Sequence, residues 1–414
     1  MSEPLVIIGN GMAAAKLCEE LAGRCLGRYA VGVIGAEPRL AYNRVLLSSL
    51  LAGEVEASDL VLRPAEWWAA RGITLVYDRP AVAIDRAAGR VVLADGTFLP
   101  YAKLVLATGS HPVRLPLPGM TLPGVTAFRD MADVGTLLAA ASRGTRAIVI
   151  GGGLLGLEAA TGLAGAGAQT TVIHLADRLM ERQLDARAAA LLRRAVEARG
   201  IEVLLGASTQ AIEGEDRVCG LRLADGRVLP ADLVVVACGV RPNADLARAA
   251  GLACNRGVLV DDGLAASDPR IHAIGECAEH RGQVYGLVEP AYEQARVLAA
   301  RLAGAEAAYA GSTVSTNLKV SGVRVFSAGD FDGGAGTQDI VLSDPGLGLY
   351  RRLVLRQEAD ATRLLGAVLF GDTADGGFYL DLIRSGRDIG RQRADLAFGR
   401  SFLSDPLSDT AEAA

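Results

Sequence analysis

Cysteine is scarce and scattered in this sequence. Its six residues, Cys18, Cys25, Cys219, Cys238, Cys254 and Cys277, form no CxxC pair, no zinc pattern and no cluster-binding run, so no metal or iron–sulfur site is expected and the thiols read as small buried hydrophobes. A block of one charge is missing too. The 42 basic and 47 acidic residues are dispersed over 414 positions with a net charge of −5, which leaves no basic patch for nucleic acid or an anionic membrane. The opening MSEPLVIIGNG enters an apolar strand with no basic segment or cleavage site before it, so a cytoplasmic location is expected. Residues 148–168 are nearly uncharged, yet Glu158 and the local glycines suit a buried turn and helix better than a membrane span.

Half of the residues are apolar and 21% are charged, which fits an interior-rich α/β protein too long for one core. The 50 glycines fall in short motifs after apolar runs rather than in repeats, pointing to tight turns and close backbone approach.

The chain contains an internal duplication. VIIGNGMAAAKLCEEL (6–21) and VVLADGTFLPYAKLVLATG (91–109) find their counterparts, in the same order, in IVIGGGLLGLEAATGL (148–163) and LRLADGRVLPADLVVVACG (221–239). Each copy opens as strand, glycine turn, helix and second strand, carries a hairpin at an Asp-Gly turn (Asp95, Asp225), and ends in a fully apolar strand typical of parallel sheets covered on both faces. After Gly239 no third copy begins; the segment through Pro290 to Leu302 is expected to complete the first domain. From about Gly311 the sequence becomes strand-like and turn-punctuated, with a short helix near 377–385. The expected fold is α/β, with two Rossmann-like dinucleotide-binding domains and a small C-terminal α+β domain. Its divisions are 1–115 (first domain, first part), 116–244 (second domain), 245–310 (first domain, second part) and 311–414 (C-terminal domain).

Gly9, Gly11 and Ala14 form GxGxxA between an apolar strand and a helix. The first glycine allows the sharp turn, the second lets backbone approach a pyrophosphate, and the small third residue lets helix and strand pack closely. Glu37, at the end of the next strand, is placed to accept hydrogen bonds from a ribose. Gly151, Gly153 and Gly156 repeat the pattern as full GxGxxG. Two such sites imply two dinucleotides, and the simplest chemistry joining them is hydride transfer from a nicotinamide to a flavin. The second copy departs from the pattern where His174 replaces the expected acid. His174 stands either beside an adenosine ribose or as a surface residue at a loop start, with Asp177 close enough to substitute for the carboxylate. Arg178 and Arg182 are near, so NADPH stays open, although the reading favours NADH.

With these motifs in order, the chain resembles the two-dinucleotide flavoprotein reductases related to glutathione reductase, and more narrowly the FAD/NAD module of bacterial NADH-dependent nitrite reductases and assimilatory nitrate reductase electron-transfer subunits. The resemblance rests on GNGMAAA (9–15), AYNRVLLSSLL (41–51), LATGSHP (106–112), GGGLLGLEAA (151–160), HLADRLMERQLD (174–185), GVRPN (239–243), AIGECAEHRGQVYGLVEPAYEQA (273–295) and STNLKVSGVRVFSAGD (315–330). It implies that Arg44 meets FAD phosphates, that Thr108, Gly109 and Gly239 line the cofactor path, and that Gly275 and Glu276 hold the ribityl chain. It further implies that a helix beginning near Glu289 and Pro290 points its positive end at the flavin, and that Glu158 borders the nicotinamide pocket. Ferredoxin-reductase relatives carry a lysine partner for that glutamate; Ser49 stands in its place. Residues 38–60 hold no cysteine, which disfavours the disulfide and thiol-peroxide chemistry of other branches. Full-length nitrite reductases continue into cysteine-rich modules with no counterpart here, so the resemblance implies electrons leaving NADH through FAD for a partner protein, a nitrate or nitrite reductase subunit. The alternatives are an NADH oxidase using oxygen, a ferredoxin or rubredoxin reductase, and, from another class, a flavin-bearing sensor. The oligomeric state is not legible.

Overall fold

A computed structural model describes residues 2–25, 27–320 and 322–403. The chain divides into two units, residues 1–114, 127–136 and 239–312 in the first, and 115–126, 137–238 and 313–414 in the second.

In the first unit the apolar run Glu3–Ile8 has strand partners on both sides and so becomes the middle of a parallel sheet. The order is Ile271–Ala273, Lys103–Leu106, Glu3–Ile8, Tyr29–Ile34, Thr74–Val76. The first of these strands comes from beyond residue 239 and pairs in parallel with Lys103–Leu106. Leu104, Val105, Leu5 and Ile7 are fully buried, as strands covered on both faces require. One face carries the helix Met12–Arg24, whose Ala14, Ala15, Leu17, Cys18 and Leu21 pack with Ala295, Leu298, Ala299 and Leu302 of Val288–Leu302. The alanines let these two helices approach closely. Asp95 caps its own turn, accepting from the Thr97 N–H at 3.0 Å, so that Arg90–Leu93 and Phe98–Pro100 fold back as antiparallel neighbours.

The second unit repeats this plan. Arg146–Ile150 lies between Gln169–Ile173 and Leu233–Val236, all parallel, with Glu202–Leu204 outside the former. Val218–Leu223 and Val228–Pro230 form the second Asp-Gly hairpin. The unit also contains the C-terminal residues, an antiparallel sheet in the order Ser315–Val320, Val323–Gly329, Thr362–Phe370, Leu349–Gln357, Thr337–Asp344, with the helix Gly376–Ser385 burying Tyr379 and Leu382 in its core. The Tyr350 hydroxyl, buried, donates to the Asp185 carboxylate at 3.1 Å. Asp185 also caps the helix Ala186–Glu197 by accepting from the N–H groups of Arg187 and Ala188, which ties the C-terminal sheet to the dinucleotide-type half of its own unit.

Candidate functional site

The two glycine turns have near-identical local geometry, and each of their three small residues answers a different demand. Gly9 and Gly151 are needed by the fold. They sit at φ +115° and +123°, and a Cβ there would lie 2.1 Å from the carbonyl oxygen of Ala107 or 2.4 Å from that of Ala237. The third position is set by helix–strand packing: a Cβ on Gly156 would fall 2.0 Å from the Gly151 carbonyl oxygen, whereas in the first copy Ala14 fits its methyl, fully buried.

The middle glycines have no such reason. Gly11 and Gly153 adopt ordinary extended backbone, φ −108° and −82°, and a Cβ on either meets nothing within 4 Å. Each is also the N-cap of its helix, Met12–Arg24 or Leu154–Gly165, with no side-chain cap. The first-turn N–H groups are therefore left without a side-chain cap, an arrangement suited to a phosphate.

In the first unit, polar side chains gather around the turn. Glu37 accepts from the Tyr42 hydroxyl at 2.9 Å and from the Arg44 guanidinium. Arg44 also donates to the Arg129 carbonyl at 3.0 Å and lies over the Tyr42 ring. Glu37 and Arg44, expected to serve ribose and phosphate separately, thus hold each other. Arg129 donates to both Glu276 and Ser110, and Ser110 donates to Glu276 at 2.8 Å. Sequence reasoning missed Arg129: it lies in no motif and meets its partners from 85 and 147 residues away. Two buried polar atoms here have no hydrogen-bond partner among the described residues, Arg129 Nε and Asn10 Oδ1, the latter within the glycine turn. Buried groups of this kind call for a partner; together with the open space at Gly11 they fit a bound dinucleotide.

The segments that follow the two apolar return strands are coupled to each other. Ser110–Pro112 pairs antiparallel with Val240–Pro242, the Val113 N–H donates to the Gly239 carbonyl, and Thr108 and Asn243 exchange two hydrogen bonds of 2.8 Å. Gly109, Gly239 and Gly275 all have positive φ. The Gly275 N–H donates to the buried side chain of Gln294 at 2.7 Å. The helix expected near Pro290 begins two residues earlier, at Val288, without a side-chain cap; Glu289 in its first turn is exposed and lies 3.5 Å from Arg296.

In the second unit His174 is neither open to a ligand nor a free surface residue. Its Nδ1 accepts the Gly152 N–H at 3.0 Å and its Nε2 lies 2.9 Å from the Glu181 carboxylate. Asp177, the expected substitute acid, is exposed and faces Arg178. Glu158 is half-buried, without a hydrogen bond or counter-ion among the described residues, and burial pushes its carboxyl up to about 7.

All six cysteines are free thiols. Buried Cys277, beside Glu276, lies 3.4 Å from the Leu106 carbonyl oxygen, and burial pushes its thiol up, which leaves it inert rather than nucleophilic. No helix among the described residues is long and apolar enough to cross a membrane.

Residues 3–295 match the pyridine nucleotide-disulphide oxidoreductase family, and residues 315–387 match the rubredoxin NAD+ reductase C-terminal domain. A nitrite reductase [NAD(P)H] of Bacillus subtilis is 46% identical over 93% of this chain and 48% of its own length. The assimilatory nitrate reductase electron transfer subunit of the same organism is 40% identical over 98% of this chain and 53% of its own length. The chain thus spans about half the length of these relatives. Among solved structures, a ferredoxin reductase from Rhodopseudomonas palustris superposes with a TM-score of 0.84 at 29% identity, covering 96% of this chain and 100% of that one.

Proposed function

Because the chain belongs to the pyridine nucleotide-disulphide oxidoreductase family and is an FAD-dependent NAD(P)H oxidoreductase, we propose that it passes electrons from NADH through FAD to a separate redox protein of nitrate or nitrite assimilation. The observation that carries this reading is the pair of middle glycines, Gly11 and Gly153, which neither backbone angle nor packing requires and which open onto uncapped helix ends. FAD, when bound, accepts a hydride from a nicotinamide and releases electrons singly, as one-electron carriers demand.

The protein's own residues supply binding and electrostatics. We assign the Gly9–Gly11 turn to the FAD pyrophosphate, and Glu37 and Arg44 to the ribose and phosphate edge, where Arg129 joins them. Thr108, Gly109, Gly239, Gly275 and Glu276 are assigned to the path of the ribityl chain and ring. The uncapped helix start at Val288 offers partial positive charge to an electron-rich ring, and Glu289, in its first turn, is assigned to the same end of the cofactor site. Gly151, Gly153 and Gly156 are assigned to the nicotinamide dinucleotide, and Glu158 to the border of its pocket. The names of the two Bacillus subtilis relatives, which align over nearly the whole chain, support the choice of acceptor; the match of residues 315–387 supports a second reading, with a rubredoxin or ferredoxin as acceptor. Six unpaired thiols support a cytoplasmic setting.

Anaerobic NADH should bleach the flavin absorbance of the purified protein, and a nitrite reductase catalytic module, added separately, should restore it. Recovery with a rubredoxin alone would favour the second reading. Protein that stays colourless after incubation with excess FAD defeats both.

A further inference from the structure

Position 174, where a dinucleotide fold of this type ends its second strand on a ribose-binding acid, carries a histidine, yet a carboxylate is brought to the same place by the chain that follows. The Gly152 N–H can only donate, so Nδ1 of His174 holds a lone pair and Nε2 carries the hydrogen, which it donates to Glu181 at 2.9 Å. The imidazole itself lies against the glycine turn: a Cβ on Gly152 would come within 2.8 Å of the ring. Glu181 is thus held one imidazole's width from that turn, and among the described residues only one of its carboxylate oxygens is used.

Three further observations show that the segment is held there. The Met180 N–H donates to the Gly152 carbonyl at 3.0 Å. Leu179 is buried, and its Cδ2 lies 2.7 Å from where a Gly152 Cβ would be. Met180 sits at φ +49°, a left-handed conformation costly for a side chain without a local hydrogen bond and kept only where surroundings demand it. Arg178, a cation close enough in sequence to suit a 2′-phosphate, instead donates to the carbonyls of Leu184 and Glu181 inside the same loop.

We infer that Glu181, held by His174 as positioning residue, accepts hydrogen bonds from the adenosine ribose hydroxyls of the nicotinamide dinucleotide and repels a 2′-phosphate, so that the protein selects NADH over NADPH. This rests on the dinucleotide reading of the second glycine turn. A carboxylate gains two charge-assisted hydrogen bonds from a free 2′,3′-diol and meets like charge in a 2′-phosphate, so one group supplies both attraction and discrimination.

The test compares kcat/KM for NADH and NADPH in the FAD-loaded protein with ferricyanide as acceptor. Glu181→Gln should raise KM for NADH roughly 10- to 100-fold with kcat little changed, and Glu181→Arg should reverse the preference. Should Glu181→Gln load flavin poorly, the unmutated protein supplies the readout: ADP-ribose should compete with NADH at least about tenfold better than its 2′-phosphate. Equal inhibition by the two, an unchanged NADH/NADPH ratio in a loaded Glu181→Gln variant, or a ratio that moves with Asp177→Asn or Arg182→Ala instead, overturns the assignment. Gly153→Val separates the levels. If it cripples NADH use while Glu181→Gln leaves selectivity alone, only the Glu181 assignment falls; if Gly153→Val leaves NADH kinetics unchanged, the dinucleotide reading falls and takes this inference with it.

Discussion

Glu158 lies in the helix Leu154–Gly165, within its first five residues, where the positive helix end should favour the ionised carboxylate. That effect is worth about 0.3–1 kcal/mol. Burial outweighs it and moves the carboxyl from 4.5 to about 7, a change equivalent to roughly 3 kcal/mol. Because the group is only half-buried, solvent reduces this, and 3 kcal/mol is an upper figure. The folded-state value is the raised one, so the folded chain holds the proton more tightly than the unfolded chain. The associated stability is fully present below pH 4.5 and is lost as pH rises to about 7. Glu158→Gln keeps the shape and removes the charge. The variant should therefore match the native protein near pH 4.5 and exceed it at pH 8.5 by up to about 3 kcal/mol, or several degrees in Tm at roughly 2–4 °C per kcal/mol for a unit of this size. Melting curves of both proteins from pH 4.5 to 8.5, without nucleotide, report the difference directly. A Tm difference that does not change with pH would refute the reasoning, because an unburied or paired carboxyl gives that result.

Gly11→Val should leave the fold intact, since a Cβ there meets nothing within 4 Å and the backbone is ordinary extended, yet abolish flavin retention; a fully loaded yellow variant defeats the placement. Gly156→Ala drives a methyl to 2.0 Å from the Gly151 carbonyl oxygen and should cost about 1–3 kcal/mol while raising KM for NADH, with FAD content unchanged; wild-type urea unfolding would contradict it. Tyr350→Phe removes the buried hydroxyl bonded to Asp185 and should lower stability by about 1 kcal/mol without altering flavin reduction by NADH, as paired denaturation and stopped-flow measurements can check.

Local pattern made much of this protein readable. The alternation of apolar strand, glycine turn and helix depends on neighbours in the chain, so both dinucleotide-type units, the two Asp-Gly hairpins and the change of character near Gly311 could be seen without coordinates. Within each glycine triplet, backbone reversal at the first position and close packing at the third act over a few residues, so these two demands are local ones.

What the tertiary structure alone decided involves partners far apart in sequence or set by a loop's path. Arg129 joins Glu276 and Arg44 only because the fold brings a bend together with two short 3-10 turns, Arg44–Leu46 and Gly275–Cys277, that lie far from it in the chain. Asp177 looked closer to the strand end than Glu181, yet the loop turns Asp177 outward and brings Glu181 back to His174, a choice made by the left-handed turn at Met180. The raised carboxyl of Glu158 likewise depends on how much water folding removes from it, a quantity that residue type and spacing do not contain.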